Sequence, residues 1–229
     1  MPSPSIDILK NHRNYYRSFP WREDISAYRI MIAEFMLHRT RAEQVVRVYR
    51  DFLLKFPSIQ LLSRGRARDI QTVTRHLGLH WRGEHFKKAA RFVLTEYGGV
   101  FPEDRRLLRE IPGVGDYVAG AILTVCYNKP EYVVDSNIAR FINRYFDLRL
   151  SGEIRRKRTI IIKARELFDI KESGNFLFAL LDFTALICKP LNPDCNNCVL
   201  LRKCAYKAKT LQISSTKRKF SKPRLVTKP

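Results

Sequence analysis

Four of the five cysteines lie close together near the C-terminal end of the sequence. They are Cys188, Cys195, Cys198 and Cys204, which gives the spacing C-x6-C-x2-C-x5-C. Four thiolates so close in sequence can hold either Zn²⁺ or a [4Fe-4S] cluster. The spacing alone leaves both possibilities open.

A proline and two glycines interrupt helical periodicity in the segment Ile111-Pro112-Gly113-Val114-Gly115. The proline stops one helix, and the glycines can take the positive φ of a tight turn. The next helix then begins with unpaired N–H groups that, with the helix dipole, suit an anion such as a DNA phosphate. The alternative is a tight helix-helix turn that binds nothing, since short glycine motifs are weak evidence.

An aspartate follows an extended apolar pair in Val133-Val134-Asp135, twenty residues after Gly115. The segment IARFINRYF, which carries Arg140, follows it and has helical spacing. We therefore expect Asp135 at or next to a helix N-terminus, where the dipole keeps it ionised. Taken alone, an aspartate in this place is typical of a simple helix cap.

The composition favours a polyanionic partner. The chain has 43 Lys and Arg against 22 Asp and Glu, a formal net charge of +21. Such a charge favours nucleic acid through phosphate neutralisation and counterion release. A merely basic surface or an anionic membrane surface are the alternatives. No signal-peptide core or spanning segment is evident, so we expect a cytoplasmic, nucleoid-associated protein of prokaryotic type without disulfides. We also expect a monomer.

Helices must position these residues. Apolar residues recur at spacings of three and four along most of the chain, which predicts an all-α protein. Glycines and prolines fall between the periodic segments. The predicted helices cover residues 5–16, 26–38, 41–56, 58–63, 66–77, 82–97, 104–110, 116–127, 136–146, 153–168 and 174–187. From residue 206 onward periodicity is lost and positive charge remains, which indicates a basic tail.

The run LLREIPGVGDYVAGAILTVCYNKPEYVVDSNIARFINRYF resembles the helix-hairpin-helix (HhH-GPD) DNA glycosylases. This superfamily contains endonuclease III, the MutY-type adenine glycosylases and the thymine mismatch glycosylases. The opening FPWRED followed by YRIMIAEFML resembles the latter two groups. The resemblance implies a six-helix domain over residues 25–128, an iron-sulfur domain formed by 1–24 with 129–205, a DNA cleft between them, and a tail over 206–229.

The resemblance also implies that Asp135 is catalytic. Breaking an N-glycosidic bond builds oxocarbenium character on the sugar. A fixed carboxylate stabilises that charge or helps a nucleophile to add. A neutral residue does neither.

Tyr117, two places after Gly115, distinguishes the subfamilies. Endonuclease III relatives carry a lysine there, whose amine forms a Schiff base and leads to strand cleavage. Adenine glycosylases usually carry a serine, and tyrosine resembles the thymine mismatch glycosylases. A phenol can also be a partly buried group that hydrogen-bonds a neighbour.

Glu34 lies in an otherwise apolar helical segment, MIAEFM, where unpaired burial would be costly. The resemblance implies an acid of the base pocket, which either protonates the leaving base or hydrogen-bonds its edge. His38 and Arg39 stand where adenine glycosylases commonly have two glutamines that fill the gap left by a flipped base. Either residue can instead be a phosphate contact. We also expect Arg140 to bind DNA.

The x6, x2, x5 cysteine spacing matches the [4Fe-4S] cluster of this superfamily, and zinc remains the alternative. Taken together, the residues favour a monofunctional glycosylase that flips thymine or uracil out of a mismatch with G in double-stranded DNA. The sequence ends soon after the cysteines, whereas MutY-type enzymes carry a domain that recognises 8-oxoguanine, so a role with oxidised guanine is less favoured. The alternatives are an adenine mismatch glycosylase, an endonuclease III-like lyase and a noncatalytic DNA-binding protein.

Overall fold

A computed structural model of the chain describes residues 3–78 and 82–207, and every regular element within those ranges is a helix. The all-α prediction is therefore confirmed for the described residues. The proposed basic tail lies outside them from residue 208 onward. None of the helices in the described ranges is long and apolar enough to span a bilayer.

The α-helices agree with the predicted segments to within a few residues at most ends. In chain order they are α1 Pro4–Lys10, α2 Ala27–Leu37, α3 Ala42–Lys55, α4 Ile59–Arg64, α5 Ala67–Thr74, α6 Arg82–Tyr97, α7 Arg105–Glu110, α8 Asp116–Tyr127, α9 Ser136–Tyr145, α10 Arg158–Phe168 and α11 Ser173–Leu186. Short 3-10 turns occur at His12–Asn14, Pro20–Arg22, Arg75–Leu77 and Leu201–Lys203.

The largest departures from the predicted helix bounds are at the end of α1 and the start of α10, and local side chains explain both. α1 ends at Lys10 because the Asn11 side chain donates to the carbonyl of Asp7 at 2.8 Å, which replaces a further helical turn. α10 begins at Arg158, five residues after the predicted start at 153. The Glu153 carboxylate accepts the backbone N–H of Arg155 at 3.1 Å, and such a local bond competes with helix formation.

The chain divides into two compact units. Among the described residues, the first comprises 3–15, 134–167 and 179–207, and the second comprises 16–78, 82–133 and 168–178. From the sequence we expect domain boundaries between residues 24 and 25 and between residues 128 and 129. Residues 168–178 are then expected in the iron-sulfur domain. Those residues group with the second unit because Ser173 donates to the carbonyl of Lys129 at 3.0 Å, and Gly174 lies against the backbone of Thr124.

The second unit has an aromatic core under α2, α3 and α6. The ring centroids of Phe35 and Phe86 are 5.5 Å apart, and those of Phe52 and Phe86 are 5.1 Å apart. α2 and α7 both pack against α8. The core therefore fixes the helix that follows the glycine turn.

The first unit has its own core, centred on Phe183 of α11. This ring lies 5.5 Å from Phe141 of α9 and 5.7 Å from Tyr15. Beside this ring, Oδ2 of the buried Asp182 lies within hydrogen-bond distance of His12 Nε2, at 2.9 Å. α9 and the end of α11 are thus held together directly before the cysteines.

Candidate active site and cysteine centre

α7 and α8 form the hairpin that the glycine motif predicts. Asp104 begins α7 by accepting the N–H groups of Arg106 at 2.8 Å and Leu107 at 3.0 Å. In the turn, the N–H of Val114 donates to the carbonyl of Ile111 at 2.9 Å. α8 then begins at Asp116 with Gly115 as its N-cap residue, and no side chain caps it.

The two glycines of the hairpin differ in backbone conformation and in the space around them. Gly113 has φ +87°, and a Cβ there would lie 3.0 Å from Phe35 Cζ, so the fold itself requires glycine. Gly115 has φ −92°, and a Cβ would meet no atom within 4 Å. Neither backbone strain nor packing demands glycine at 115, which is consistent with the close approach of a ligand to the backbone.

Within the described residues, the N–H groups of Gly113 and Gly115 have no protein acceptor. Both glycines are exposed. Val114 differs, because its side chain is buried and its N–H is used inside the turn. Of the three predicted backbone contacts, the geometry leaves those of the glycines open to an anion, and a contact by Val114 stays a prediction.

Tyr117 is the second residue of α8 and is partly buried. The preceding residue, Asp116, pairs with Arg109 of α7, with 3.1 Å between Oδ1 and Nε. This pair partly neutralises the one carboxylate in the first turn of α8. The start of α8 therefore remains a favourable place for an external anion.

Glu34 lies in the last turn of α2. Ser26 caps the start of this helix by accepting the N–H of Arg29 at 3.3 Å. Glu34 is partly buried, whereas its neighbours on both sides, Ala33 and Phe35, are buried. Because Phe35 also lies against Gly113, Glu34 and the hairpin are held on adjoining elements of the second unit.

His38 and Arg39 directly follow α2 and are both exposed. Arg39 has φ +61°, the left-handed conformation that residues other than glycine adopt uncommonly. Such conformations are found preferentially at functional sites. The geometry leaves both side chains accessible, and their predicted role in filling the gap of a flipped base stays a prediction.

Asp135 caps α9, as the sequence predicts. Its Oδ1 accepts the N–H of Ile138 at 2.7 Å, and its Oδ2 accepts from the Asn137 side chain at 3.3 Å. Burial nevertheless raises the pKa of Asp135, and the hydrogen bonds and the charge of Arg140 offset only part of this. The expectation that the dipole alone keeps the group ionised is therefore incomplete.

A chain of hydrogen bonds leads from Asp135 to the first cysteine of the cluster motif. The Asn137 side chain contacts Asp135 and accepts from Arg140 Nη1 at 2.7 Å. Arg140 Nη2 in turn donates to the carbonyls of Cys188 at 2.8 Å and Thr184 at 2.9 Å. The guanidinium of Arg140 is thus committed to internal acceptors, and a DNA contact by Arg140 stays a prediction.

The four cysteines of the motif line one cavity in the first unit. The cavity is also lined by Arg144, Tyr145 and Phe183. No group of three or more His, Cys, Asp and Glu side chains within residues 3–78 and 82–207 is arranged closely enough to hold a single metal ion.

Arg144 of α9 braces the loop that carries the first cysteine. Its Nη1 lies 3.8 Å from Cys188 Sγ and 2.6 Å from the carbonyl of Lys189, and its Nη2 lies 2.8 Å from the carbonyl of Pro190. Burial raises the pKa of Cys198 to about 11, and the charges of the other three cysteines add to this. Positive charge from a bound metal or from arginines is what lowers the pKa of such thiols.

Cys126, the fifth cysteine, lies apart from this group on α8. It is partly buried, and burial raises its pKa to about 12. This is the behaviour of a thiol in a core.

The predicted site residues fall into two groups. Asp135, Arg140 and the four cysteines belong to the first unit. The hairpin, Tyr117, Glu34, His38 and Arg39 belong to the second.

Sequence reasoning assigned no role to Asn137 or Arg105. The spacing Asn137-x-x-Arg140 puts the amide and the guanidinium on one face of α9, which is a readable signal. Arg105 donates to the carbonyls of Asp116 at 2.9 Å and Tyr132 at 2.7 Å. It ties the start of α8 to the segment that leads toward Asp135, and no local pattern announces such a role.

Known proteins similar to this chain are DNA glycosylases. A thymine/uracil-DNA glycosylase of Methanothermobacter thermautotrophicus is 32% identical over 191 residues, which cover 83% of this chain and 86% of the relative. An adenine DNA glycosylase of Buchnera aphidicola subsp. Schizaphis graminum is also 32% identical, over 86% of this chain and 58% of that protein.

A solved structure of a thermostable thymine-DNA glycosylase matches the fold with a TM-score of 0.82 and 31% identity, covering 90% of this chain and 95% of that one. No family model matches the sequence. The identity to full-length relatives, the matching fold and the glycine hairpin followed by a capping aspartate agree with one another. The chain belongs to the helix-hairpin-helix DNA glycosylase family, in the branch of endonuclease III and the MutY-type enzymes.

Proposed function

We propose that the protein removes thymine or uracil from G:T and G:U mismatches in double-stranded DNA by hydrolysis, without a lyase step. The observation that carries this proposal is Tyr117 in the first turn of α8, where lyases of the superfamily place an amine. The names of the similar thymine/uracil-DNA glycosylase and of the similar thermostable enzyme support the substrate.

Asp135 supplies the negative charge for bond cleavage. Its Oδ1 is fixed by the N–H of Ile138, so the carboxylate is held without rearrangement when oxocarbenium character develops on the sugar. Its burial strengthens this interaction, because charges interact more strongly where water is excluded. A water molecule then adds to the sugar and leaves an abasic site.

Tyr117 supplies a phenol in place of an amine. A phenol packs against the sugar and hydrogen-bonds, and it cannot form a Schiff base. Strand cleavage by β-elimination is therefore not expected. Glu34 acts on the base, either by protonating it or by hydrogen-bonding its edge, and its partial burial suits contact with a base in a pocket.

The hairpin binds the DNA backbone. The N–H groups of Gly113 and Gly115 donate to a phosphate, and this contact positions the strand without reading a base. His38 or Arg39 enters the gap left by the flipped nucleotide, which recovers part of the lost stacking. The exposure of both residues at the end of α2 supports this role.

Cys188, Cys195, Cys198 and Cys204 hold a [4Fe-4S] cluster. All four cysteines line one cavity, which supports a group that takes one thiolate on each of four irons. The guanidinium of Arg144, 3.8 Å from Cys188 Sγ, favours the thiolate form. The cluster fastens the loops of residues 188–204, and base excision itself is carried out by other residues.

Iron and acid-labile sulfide analysis tests the cluster. Four irons and four sulfides per chain are expected in protein prepared without oxygen. One zinc per chain without sulfide would contradict the assignment.

A panel of mismatched duplexes tests the substrate. The protein is incubated with G:T, G:U and G:A duplexes, and the released free bases are identified by mass spectrometry. Release of thymine and uracil is expected.

An adenine mismatch glycosylase is the second candidate. It is favoured by the adenine DNA glycosylase of Buchnera, which matches this chain at the same 32% identity. Release of adenine alone from the same panel would establish it and contradict the first proposal.

A further inference from the structure

The segment between α9 and α10 carries a dense group of cations that none of the roles above uses. Arg155, Arg156, Lys157 and Arg158 are consecutive and all are exposed. We call these four residues the basic run. Glu153 is the acid within five residues of it on the N-terminal side.

The loop that carries the basic run is held by hydrogen bonds to α9. Asn143 of α9 donates through Nδ2 to the carbonyl of Leu150 at 3.0 Å and accepts the N–H of Leu150 at 3.0 Å. Asp147 and Arg149 adopt left-handed φ values of +51° and +53°. Strained backbone of this kind persists where the surrounding structure fixes it, and it clusters at functional positions.

The position of the cations opposes helix stability. Arg158 is the first residue of α10, and Arg156 and Lys157 directly precede it. Cations near a helix N-terminus are unfavourable because that end carries partial positive charge, and adjacent like charges repel one another. The stability of α10 therefore does not account for the basic run.

The basic run belongs to the same compact unit as Asp135. The two are joined along the chain by α9 and the loop after it. The pKa of Arg155 is raised first by its hydrogen bonds to Glu153 and further by the negative charge of Asp135.

Arg155 is the one member of the run with a bidentate partner in the described structure. Its Nε donates to Glu153 Oε1 at 2.8 Å, and its Nη2 donates to Glu153 Oε2. Both groups are about half exposed, so the pair contributes little to stability. A phosphate, which accepts the same two N–H groups, can replace the carboxylate.

We propose that the basic run is a second phosphate-binding surface, which holds the DNA backbone beside the nucleotide on which Asp135 acts. It is separate from the glycine hairpin, which belongs to the other unit. The proposal rests on the proposed function for the identity of its ligand, duplex DNA. Arg155 exchanges Glu153 for a phosphate when DNA binds, and Arg156, Lys157 and Arg158 add charge without such an exchange.

The salt dependence of binding to a fully paired duplex tests the proposal. The triple variant Arg156→Gln/Lys157→Gln/Arg158→Gln is compared with wild type by fluorescence anisotropy at several salt concentrations. The slope of log K against log salt is expected to become shallower by about two to three, since each phosphate contact contributes about 0.9. Affinity near 0.1 M salt is expected to fall about tenfold or more.

The control variant removes the same charge elsewhere. Arg64, Arg66 and Arg68 are exposed residues of α4, α5 and the turn between them, in the other unit. Their triple substitution by Gln is expected to change the slope by less than about one. Equal slope changes in both triple variants, or no change in the basic-run variant, would overturn the proposal. Thermal unfolding checks that the variants are folded, and the basic-run variant is expected to be at least as stable as wild type, because its cations oppose the dipole of α10.

A second pair of variants tests the exchange at Arg155. Glu153→Gln removes its carboxylate partner and is expected to tighten duplex binding several-fold. Glu166→Gln on α10, which removes an acid paired with Lys163 at 2.7 Å, adds the same net charge and serves as the control. If both variants tighten binding equally, net charge alone explains the effect and the exchange is wrong. No excision is measured in these binding assays, so failure of this proposal is distinct from failure of the proposed function.

Discussion

At the scale of the residue, Asp135 caps a helix and, in the proposed mechanism, also supplies the catalytic charge. Its carboxylate caps α9 through the N–H of Ile138 at 2.7 Å, and burial raises its pKa. An asparagine caps a helix equally well but carries no charge. The two tasks can therefore be separated by one substitution.

Asp135→Asn is expected to abolish excision while preserving the fold. Loss of the charge is expected to lower the single-turnover rate at least about a hundredfold, the scale of one electrostatic group in an active site. The thermal midpoint is expected to stay unchanged or rise, because the raised pKa means that the ionised form costs stability at neutral pH. Single-turnover excision and thermal unfolding provide the two measurements. Equal activity of variant and wild type would remove Asp135 from the mechanism.

The pH dependence of excision follows from the same carboxylate. Catalysis requires the ionised form, and burial places the pKa of Asp135 above the usual aspartate value. As pH falls, activity is therefore expected to be lost at a higher pH than an ordinary aspartate would give. A rate profile at saturating DNA measures this, and an acid limb at or below the usual aspartate value would contradict it.

Tyr117→Lys is expected to introduce lyase chemistry. The substitution places an amine in the first turn of α8, where a Schiff base with the sugar becomes possible. Borohydride trapping on a G:U duplex is expected to yield a covalent protein-DNA adduct for this variant. Tyr117→Phe, which keeps the ring and lacks the amine, is the control and is expected to give none. Strong trapping by wild type would show that another amine already acts.

At the scale of the element, the hairpin shows what a glycine motif can and cannot disclose. The sequence predicts the turn and the start of α8 at residue 116, and the structure confirms both. The sequence does not distinguish the roles of Gly113 and Gly115. That difference depends on Phe35, which lies far away in sequence and meets Gly113 in the fold.

Alanine substitutions at the two glycines of the hairpin are expected to affect different properties, stability at residue 113 and DNA binding at residue 115. Gly113→Ala should destabilise the fold by about 1–2 kcal/mol, because φ is +87° and the Cβ would lie 3.0 Å from Phe35 Cζ. Gly115→Ala should leave stability nearly unchanged and weaken DNA binding, because the added methyl occupies open space beside the N–H groups. Thermal unfolding and anisotropy on the same duplex separate the two. Undiminished DNA binding by Gly115→Ala would argue against a phosphate at the hairpin.

α9 shows a limit of sequence reasoning. Arg140 was expected to contact DNA because it is a cation on the helix after Asp135. The structure shows its donors directed at Thr184 and Cys188, carbonyls more than forty residues away in sequence. Such acceptors exist only once the tertiary fold has formed, so no local pattern reveals them.

Arg140→Gln is expected to loosen the cysteine loop. It removes the guanidinium that joins Asn137 to the carbonyl of Cys188, so iron content and thermal stability should both fall. Iron analysis, thermal unfolding and the salt slope of DNA binding are measured together. A shallower salt slope with unchanged iron content and stability would instead favour the predicted DNA contact.

At the scale of the whole molecule, the helical class and most helix positions could be predicted from periodicity. The division into units could not be predicted as closely, because residues 168–178 join the second unit through contacts with residues 124–129. The net charge of +21 predicted a polyanionic partner, and membership in a DNA glycosylase family agrees with it. Charge alone could not identify which base is removed.

Hydrolytic removal of thymine or uracil leaves the DNA strand intact until alkali cleaves the abasic site. End-labelled G:T, G:U and G:A duplexes are incubated with the protein, and each reaction is analysed on one denaturing gel with and without alkali. Strand breaks at the T and U positions that appear only after alkali are the predicted result. Breaks confined to the A position, or breaks at T and U without alkali, would contradict the account.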